Sequence, residues 1–280
     1  MLVQIISYLF HILLALPPLS WLSKYDWFVR LFIEIEGLFF SKSCLSDRAI
    51  LYHRKRGNII IEPFHMEQLC TASYDVRIGP NFLRERRSPN VEIFNPYHKE
   101  GVDEFWGVNT ERAIKHRDWL IEDLSRKRLM GVGLDEELIW LQPGERILGH
   151  TIEFIGAQNH TITTKMQARS SIGRIGVTVC ECAGLGDIGY FGQWTLEITN
   201  KSRNHSVCLI VGHRVAQIVF FDTDGTLRGK SYNAGGKYQN SNKLEQVQRM
   251  WRENPGHMMK PKLYMDRECL AAYVSENECS

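Results

Sequence analysis

An alternating run near the middle of the chain constrains its fold more than any other feature. Residues 193–199 read QWTLEIT, with polar and apolar residues exchanging at every step. Successive side chains of a β-strand point to opposite faces, so this pattern predicts a strand with one buried and one polar face. Glu197 shares the polar face with Thr195, which places a carboxylate where it is available for chemistry.

Two glycine-containing turns precede this strand. Residues 169–174, RSSIGR, carry two arginines around two serines. Guanidinium groups, hydroxyls and the free N–H groups of such a turn are donors suited to phosphate oxygens. Residues 183–190, AGLGDIGY, allow close approach of a ligand at the glycines; Asp187 can bind a sugar hydroxyl and Tyr190 can stack. The structural alternatives are a solvated basic turn, a turn-capping aspartate and a core tyrosine.

Together these blocks resemble the central region of the dCTP deaminase family, which belongs to the superfamily of the trimeric dUTPases. With x for any residue, the matching set is RSSxGRxG…AGxxDxGYxGxxxLEIxN. The flanking blocks DVRIG at 75–79, GHRVAQIVF at 212–220 and GKYQ at 236–239 resemble the family's early strand, late strand and C-terminal lid. Several blocks in the family's order are far more specific than any single motif.

The resemblance implies a mostly β fold, a distorted jelly-roll-like β-barrel of the dUTPase superfamily with short helices. We therefore divide the chain into three parts. Residues 1–43 are a hydrophobic N-terminal extension, and residues 44–242 are the dCTP deaminase-like β-barrel domain with an insertion at about 84–130. Residues 243–280 are a C-terminal extension past the family's usual end.

Glu197 decides between the activities of the superfamily. By resemblance, deaminases carry a glutamate here as catalytic acid/base, whereas dUTPases carry an apolar residue and activate water with an aspartate equivalent to Asp187. In deamination, water is deprotonated to attack C4 of cytosine, N3 is protonated and ammonia leaves. One carboxylate can shuttle these protons. We predict a hydrolase that converts dCTP to dUTP and ammonia in pyrimidine deoxynucleotide metabolism, for the supply of dUMP and dTTP.

Three alternatives stay open. Ala183 and Gly184 followed by Asp187 resemble the bifunctional dCTP deaminase/dUTP diphosphatases, which carry dCTP through to dUMP. A dUTPase-like pyrophosphatase would release no ammonia, and Glu197 argues against it. A non-catalytic nucleotide-binding protein would leave dCTP and dUTP unchanged, although Ser170 and Arg174 beside Glu197 in the motif argue against that.

The resemblance also implies roles for individual residues. Glu197 is expected to be the proton shuttle, with Ser170 and Arg174 orienting it and the attacking water. Asp187 is expected to bind the deoxyribose 3′-hydroxyl, and Tyr190 to pack near C2′ and exclude ribonucleotides. The complete predicted substrate-binding set is Arg169, Ser170, Ser171, Ile172, Gly173, Arg174, Asp187, Tyr190, Thr195, Leu196, Glu197, Tyr232 and Lys237.

Within that set, Thr195 is expected to contact the base, and Tyr232 and Lys237 the triphosphate. Magnesium is expected to accompany the triphosphate. His65-Met66-Glu67 imitates the H-x-E of zinc-dependent nucleotide deaminases, but no P-C-x-x-C follows, so we expect neither zinc nor another protein-held metal.

The implied partners are dCTP, with dUTP as a candidate further ligand and dTTP as a candidate regulator, and two more copies of the chain. In such a homotrimer, Glu197 comes from one chain and the 169–174 turn from its neighbour. The formal net charge of +2 at pH 7 gives no reason to expect a nucleic-acid partner.

The N-terminus is apolar, since residues 1–22 contain no Lys, Arg, Asp or Glu. Their length allows a transmembrane helix, but Pro17-Pro18 would interrupt it. A membrane anchor, an added packing element and untranslated upstream sequence all stay open. The seven cysteines form no recognisable disulfide framework, which suits a reducing compartment. We expect a cytoplasmic protein, with membrane association through residues 1–40 as the alternative.

Local patterns predict further elements. Residues 44–56 read as a helix with Ser46 as its N-cap. Residues 84–109 read as an exposed loop, and residues 110–129 have helical spacing. Asp75 and Arg77, two apart on one strand, are expected to form an ion pair with each other. A short helical pattern begins at Leu244.

Overall fold

The computed structural model describes residues 43–86, 93–158, 161–226, 231–232, 236–239 and 241–266. Residues 1–42, with the predictions of a membrane anchor or a packing element, lie outside the described residues, as do residues 267–280.

The first predicted helix is confirmed, together with its cap. Helix α1 spans Asp47–Lys55, and the Ser46 hydroxyl accepts a hydrogen bond from the Ala49 N–H at 3.5 Å. This bond satisfies one of the N–H groups that the first turn of a helix leaves without a partner. Buried Ala49 and Ile50 attach the helix to the core.

The largest sheet contains the strand that the alternating run predicts. All its pairings are antiparallel. Its strands in spatial order are β10 (Val177–Thr178), β12 (Phe191–Asn200), β8 (Arg146–Ala157), β4 (Asn81–Arg84) and β5 (Glu111–Arg112), with β1 (Ile59–Glu62) also on β8. On β12 the even-numbered residues from 194 to 200 are buried, and those between them are half-buried.

Two further sheets cover the apolar face of the first. One has the order β11 (Leu185–Gly186), β9 (Ile162–Ala168), β14 (Arg214–Asp222), β3 (Ser73–Arg77) and β2 (Leu69–Cys70). The other has the order β13 (Val207–Ile210), β7 (Glu137–Leu141) and β6 (Ile114–Lys115). The main core contains buried side chains from all three sheets, such as Leu196, Ile218 and Ile139. The mostly β prediction is confirmed; within the described residues no strand order closes on itself, and barrel closure stays a prediction.

A second core lies beside β12 and is built from helices. Its members are α2 (Lys99–Trp106), α5 (Leu244–Glu253) and α6 (Pro255–Met259), whose apolar side chains pack on Leu148 and Phe191. The helix predicted from Leu244 onward is therefore confirmed. Two further α-helices are α3 (His116–Glu122) and α4 (Ser170–Arg174), and short 3-10 helices span Met66–Gln68 and Leu263–Met265.

Two predictions for the insertion were wrong in part. The expected exposed loop contains α2, whose Val102 and Trp106, four residues apart, are buried in the second core. The expected helix over 110–129 is helical only in α3. Its first residues instead form β5 and β6, because β4 and β7 offer them sheet hydrogen bonds.

The expected pair of Asp75 with Arg77 was also wrong. Arg77 Nε lies 2.6 Å from Oε1 of Glu153, whose side chain is fully buried. Asp75 instead lies 3.1 Å from Arg169 Nε and 3.3 Å from Arg214 Nη1. These partners lie on β8, on β14 and just before α4, which residue spacing along one strand does not reveal.

Across the described residues, no helix combines the length and apolar composition needed to span a bilayer.

Candidate active site

A cavity of about 550 Å³ separates the polar side of β12 from the helical second core. Its polar wall includes Glu181, Asp187, Tyr190, Thr195, Glu197 and Tyr232. Its apolar wall includes Trp106, Leu148, Trp251, Met258, Met259, Pro261 and Leu263. Five residues of the predicted substrate-binding set thus meet in one cavity, together with an apolar surface.

Glu197 lies in the polar wall, opposite Leu148 on β8. Its Oε2 accepts a hydrogen bond from the backbone N–H of Glu181 at 3.1 Å. Within the described residues, Oε1 of Glu197 has no protein hydrogen-bond partner. The carboxylate is therefore oriented from one side and keeps an oxygen for a ligand, as a proton shuttle requires.

The glycine loop between β11 and β12 positions Asp187 and Tyr190. The Tyr190 N–H donates to the Asp187 carbonyl at 2.9 Å, which closes a tight turn in which Gly189 has a φ of 91°. A Cβ atom at Gly186 would come within 2.6 Å of the Trp194 ring, so glycine is required for this packing. The loop thereby holds the exposed Asp187 at the mouth of the cavity.

Tyr190 is the centre of an aromatic group. Its ring meets Trp194 and Tyr232 edge to face, each with a centroid separation of 5.3 Å. Burial raises the pKa of the Tyr190 phenol, which stays neutral and donates to the Gln193 carbonyl at 3.3 Å. A rigid ring in this place can exclude a larger substituent from a bound sugar, the role expected of Tyr190.

Thr195 lines the cavity, and its neighbour Trp194 is held by two hydrogen bonds to β8. The Trp194 N–H donates to Thr151 Oγ1 at 2.9 Å, and its indole N–H donates to the Ile155 carbonyl at 3.0 Å. These bonds span the β-bulge between Gln193 and Thr195. The Leu196 side chain points the other way and is fully buried in the main core.

The predicted lid segment is attached beside this loop. The Tyr232 N–H donates to the Ile188 carbonyl at 2.9 Å. Farther along, the buried Gln239 side chain accepts from the Phe191 N–H at 2.8 Å and donates to the Ser241 carbonyl at 2.9 Å. Tyr238 lines the cavity, whereas the ammonium group of Lys237 pairs with Asp266.

The other half of the predicted site lies elsewhere on the chain. Ser170, Ser171, Gly173 and Arg174 of α4 are exposed and do not line the cavity. Ile172 packs against the main core and holds α4 to the sheets that form this core. Arg169, just before α4, contacts Asp75. The structure of one chain thus separates the arginine and serine turn from Glu197.

Sequence reasoning missed the apolar wall of the cavity. Trp251 and Met258 belong to a C-terminal extension that received no predicted function, and Trp106 belongs to the expected loop. The available signal was the helical spacing of large apolar residues, Val102 with Trp106 and Val247 with Trp251. That spacing identifies a packing face, but it does not reveal that the face borders a cavity.

Among the described residues, no group of three or more His, Cys, Asp or Glu side chains could hold a metal ion. Magnesium that arrives with a triphosphate needs no such protein cage, because phosphate oxygens and water supply most of its ligands. The magnesium expected with the substrate stays a prediction.

Comparison with known proteins gives a family match over most of the chain. The model of the dCTP deaminase-like family matches residues 44–223. The dCTP deaminase of Halorubrum lacusprofundi is 31% identical over 198 residues, which are 70% of this chain and 85% of that protein. The dUMP-forming dCTP deaminase of Clostridium botulinum is 32% identical over 204 residues, 72% of this chain and 93% of that protein.

A solved structure is also similar. The 2′-deoxycytidine 5′-triphosphate deaminase from Agrobacterium tumefaciens superposes with a TM-score of 0.42 and 22% identity. The superposition covers 65% of this chain and 50% of that chain.

Proposed function

The chain belongs to the dCTP deaminase-like family, and on this basis we propose that it is an enzyme that deaminates dCTP hydrolytically in the supply of dUMP. The observation that carries the proposal is the Glu197 carboxylate, oriented by the Glu181 N–H inside a cavity with Asp187, Tyr190 and Thr195. A carboxylate held from one side, facing a nucleotide-sized space, is what proton transfer to and from a bound base requires.

The chemistry follows from the position of that carboxylate. Glu197 takes a proton from water as the water oxygen attacks C4 of cytosine, and it delivers a proton to N3. Glu197 then takes the proton of the new C4 hydroxyl and passes it to the amino group, so that the C4–N bond breaks, the C4 carbonyl forms and ammonia leaves. Water and dCTP are consumed, and dUTP and ammonia are formed.

The remaining cavity residues select the substrate. Asp187 accepts a hydrogen bond from the 3′-hydroxyl, and the Tyr190 ring, fixed by Trp194 and Tyr232, leaves no room for a 2′-hydroxyl. Thr195 contacts the base. Magnesium binds through the phosphate oxygens and neutralises part of the charge of the triphosphate.

A second activity is favoured by the presence of Asp187 and Glu197 in one cavity. Relatives at 32% identity are named as dUMP-forming deaminases. We propose that Asp187 can also orient a water for attack on dUTP, which would yield dUMP and pyrophosphate from the same site.

The exposed position of α4 supports a shared active site. Ser170 and Arg174 do not line the cavity of their own chain, yet they belong to the family's central motif. We infer that a homotrimer places α4 of one subunit beside Glu197 of the next, where Arg174 and Ser170 orient the water and the carboxylate.

Product analysis of the purified protein with dCTP and magnesium tests this proposal. Wild type should release ammonia, and Glu197→Gln should lose about 10³-fold or more in rate because the proton shuttle is gone. Glu253→Gln is the control, since this exposed glutamate does not line the cavity.

The products separate the candidate activities. Accumulated dUTP indicates deamination alone, and dUMP with pyrophosphate indicates the bifunctional reaction. Ammonia release that survives in Glu197→Gln would contradict the role of this residue, and absence of turnover of both dCTP and dUTP would contradict the proposed function.

A further inference from the structure

A buried lysine without a carboxylate partner lies next to the catalytic cavity. Lys262 follows α6 and is only 4% exposed. Its Nζ donates to the Lys237 carbonyl at 3.1 Å and lies 5.1 Å from the centre of the Tyr238 ring. Among the described residues it forms no ion pair. An ammonium group has three donors, so one carbonyl and one ring face leave its charge poorly compensated.

Lys260, two residues earlier in the same segment, is a buried lysine that does have a carboxylate partner. It is 7% exposed, and its Nζ lies 2.5 Å from Oδ1 of Asp103 on α2. Two lysines with similar burial, two residues apart, thus differ in that one has an acidic partner and the other has none. Burial lowers the pKa of Lys262, the direction expected of an ammonium group without a nearby carboxylate.

The segment around Lys262 borders the cavity, although Lys262 itself does not line it. Pro261 and Leu263, its two chain neighbours, line the cavity, as does Tyr238, whose hydroxyl accepts from the Lys262 N–H at 3.2 Å. Among the described residues of this segment, Asp103 pairs with Lys260 and Asp266 pairs with Lys237. Lys262 is therefore left as a cation without an anion at this edge of the cavity.

We propose that Lys262, together with Lys237, forms a phosphate-binding subsite that takes the polyphosphate end of the nucleotide in the cavity. The inference rests on the proposed function and assigns a binding role to a segment beyond the matched residues 44–223. The base and sugar lie at Glu197 and Asp187, and the phosphate chain extends towards the lid segment. The phosphate replaces Asp266 as the partner of Lys237 and supplies the anion that Lys262 lacks.

Binding measurements on a non-turnover background test the subsite. Calorimetric titrations compare Glu197→Gln with Glu197→Gln/Lys262→Met, using dCTP with magnesium, deoxycytidine and inorganic tripolyphosphate as probes. Loss of the lysine should weaken the binding of dCTP and of tripolyphosphate about 10- to 100-fold, the range expected for a lost hydrogen bond to a charged group. Deoxycytidine, which has no phosphate, should bind equally well to both. Lys99→Gln, an exposed nearby charge, should change dCTP affinity less than about 3-fold.

Thermal unfolding shows whether Lys262 is instead structural. Methionine replaces a poorly compensated charge with an apolar chain, so ligand-free Lys262→Met should melt no lower than its parent. Lys260→Met should melt lower, because it leaves Asp103 without its partner.

Each result decides the question. Unchanged dCTP affinity in the Lys262→Met variant, or equal losses for dCTP and deoxycytidine, would overturn the subsite. A parent that binds tripolyphosphate through Lys262 but fails to bind dCTP would contradict the proposed substrate and leave an anion site. A parent that binds neither would overturn both proposals.

Discussion

The carboxylate of Asp75 lies 3.1 Å from the guanidinium Nε of Arg169. A buried acid on β3 therefore holds the arginine that begins the 169–174 turn. Arg214 Nη1 approaches the same carboxylate at 3.3 Å. The side chain of Asp75 is only 2% exposed, whereas both arginines are at least one-third exposed. Asp75 therefore fixes the position of Arg169, the N-cap residue of α4.

Asp75 gives a pH dependence with a definite sign. Burial is the main cause that raises its pKa above the ordinary value, and the two arginines only partly offset this effect. Because its folded-state pKa is the higher one, its contribution to stability is fully present below the unfolded pKa and is lost as pH rises through the folded pKa. Relative to Asp75→Asn, wild type should lose stability over the interval in which the pH rises above the ordinary aspartate pKa of about 3.9.

Urea unfolding of both proteins at several pH values checks this prediction. The quantity that matters is the difference between their unfolding free energies, in which the other titrating groups cancel. A difference that grows in favour of wild type as pH rises over that interval would show that the arginines, and not burial, determine the direction in which the pKa of Asp75 is shifted.

Removing the buried carboxylate of Glu153 should be strongly destabilising. Glu153 accepts from the Arg77 side chain, from the Arg77 N–H at 2.9 Å and from Gln68 at 2.9 Å. Glu153→Gln leaves the Arg77 charge without its partner and should cost about 3–5 kcal/mol of unfolding free energy. Glu253→Gln breaks an exposed pair with Arg249 and should cost less than about 1 kcal/mol. Chemical denaturation that gave similar costs for the two would show that burial of the Arg77 pair is unimportant.

Subunit mixing tests the shared active site. Arg174→Ala and Glu197→Gln should each be nearly inactive as pure proteins. In trimers reassembled from equal amounts, about a quarter of the sites should combine an intact Glu197 with an intact Arg174 of the neighbouring subunit. Ammonia release should therefore recover to about a quarter of the wild-type rate after mixing. Recovery that stays at the level of the two separate proteins would mean that both residues act within one chain.

The Gln239 side chain should control local opening at the start of β12. Gln239→Ala leaves the Phe191 N–H and the Ser241 carbonyl without their partner, at a cost of about 1–3 kcal/mol. The Phe191 amide should exchange its hydrogen faster in the variant than in wild type. Gln158→Ala, which removes an exposed amide bonded to the Asn242 carbonyl, serves as the control and should leave this exchange rate unchanged.

The sequence allowed prediction of those features that depend on local pattern. The alternation along β12 placed Glu197 and Thr195 on one face, and Ser46 marked the start of α1. Contacts between distant segments could not be predicted in this way. Asp75 and Arg77 obey the alternation of a strand, but their partners come from segments that only the fold brings near.

The apolar wall shows the same limit for the site. The pattern in α5 predicts a helix with one apolar face, but neither that face nor the spacing of Trp251 identifies what it packs on. The fold supplies the answer, since Phe191 at the start of β12 shares a core with Val247 and Trp251. Local sequence therefore predicted the polar half of the cavity better than its apolar half.

The packing of α5 and α6 against Phe191 of β12 joins these two helices and the strand that carries Glu197 in one core. A chain ended at residue 242 would expose Phe191 and Leu148 to water and would also remove one side of the cavity. Recombinant fragments cut at the family boundary should therefore aggregate rather than yield a minimal enzyme. For the same reason, changes to Val247, Trp251 or Met258 in this segment should disturb the strand that carries Glu197.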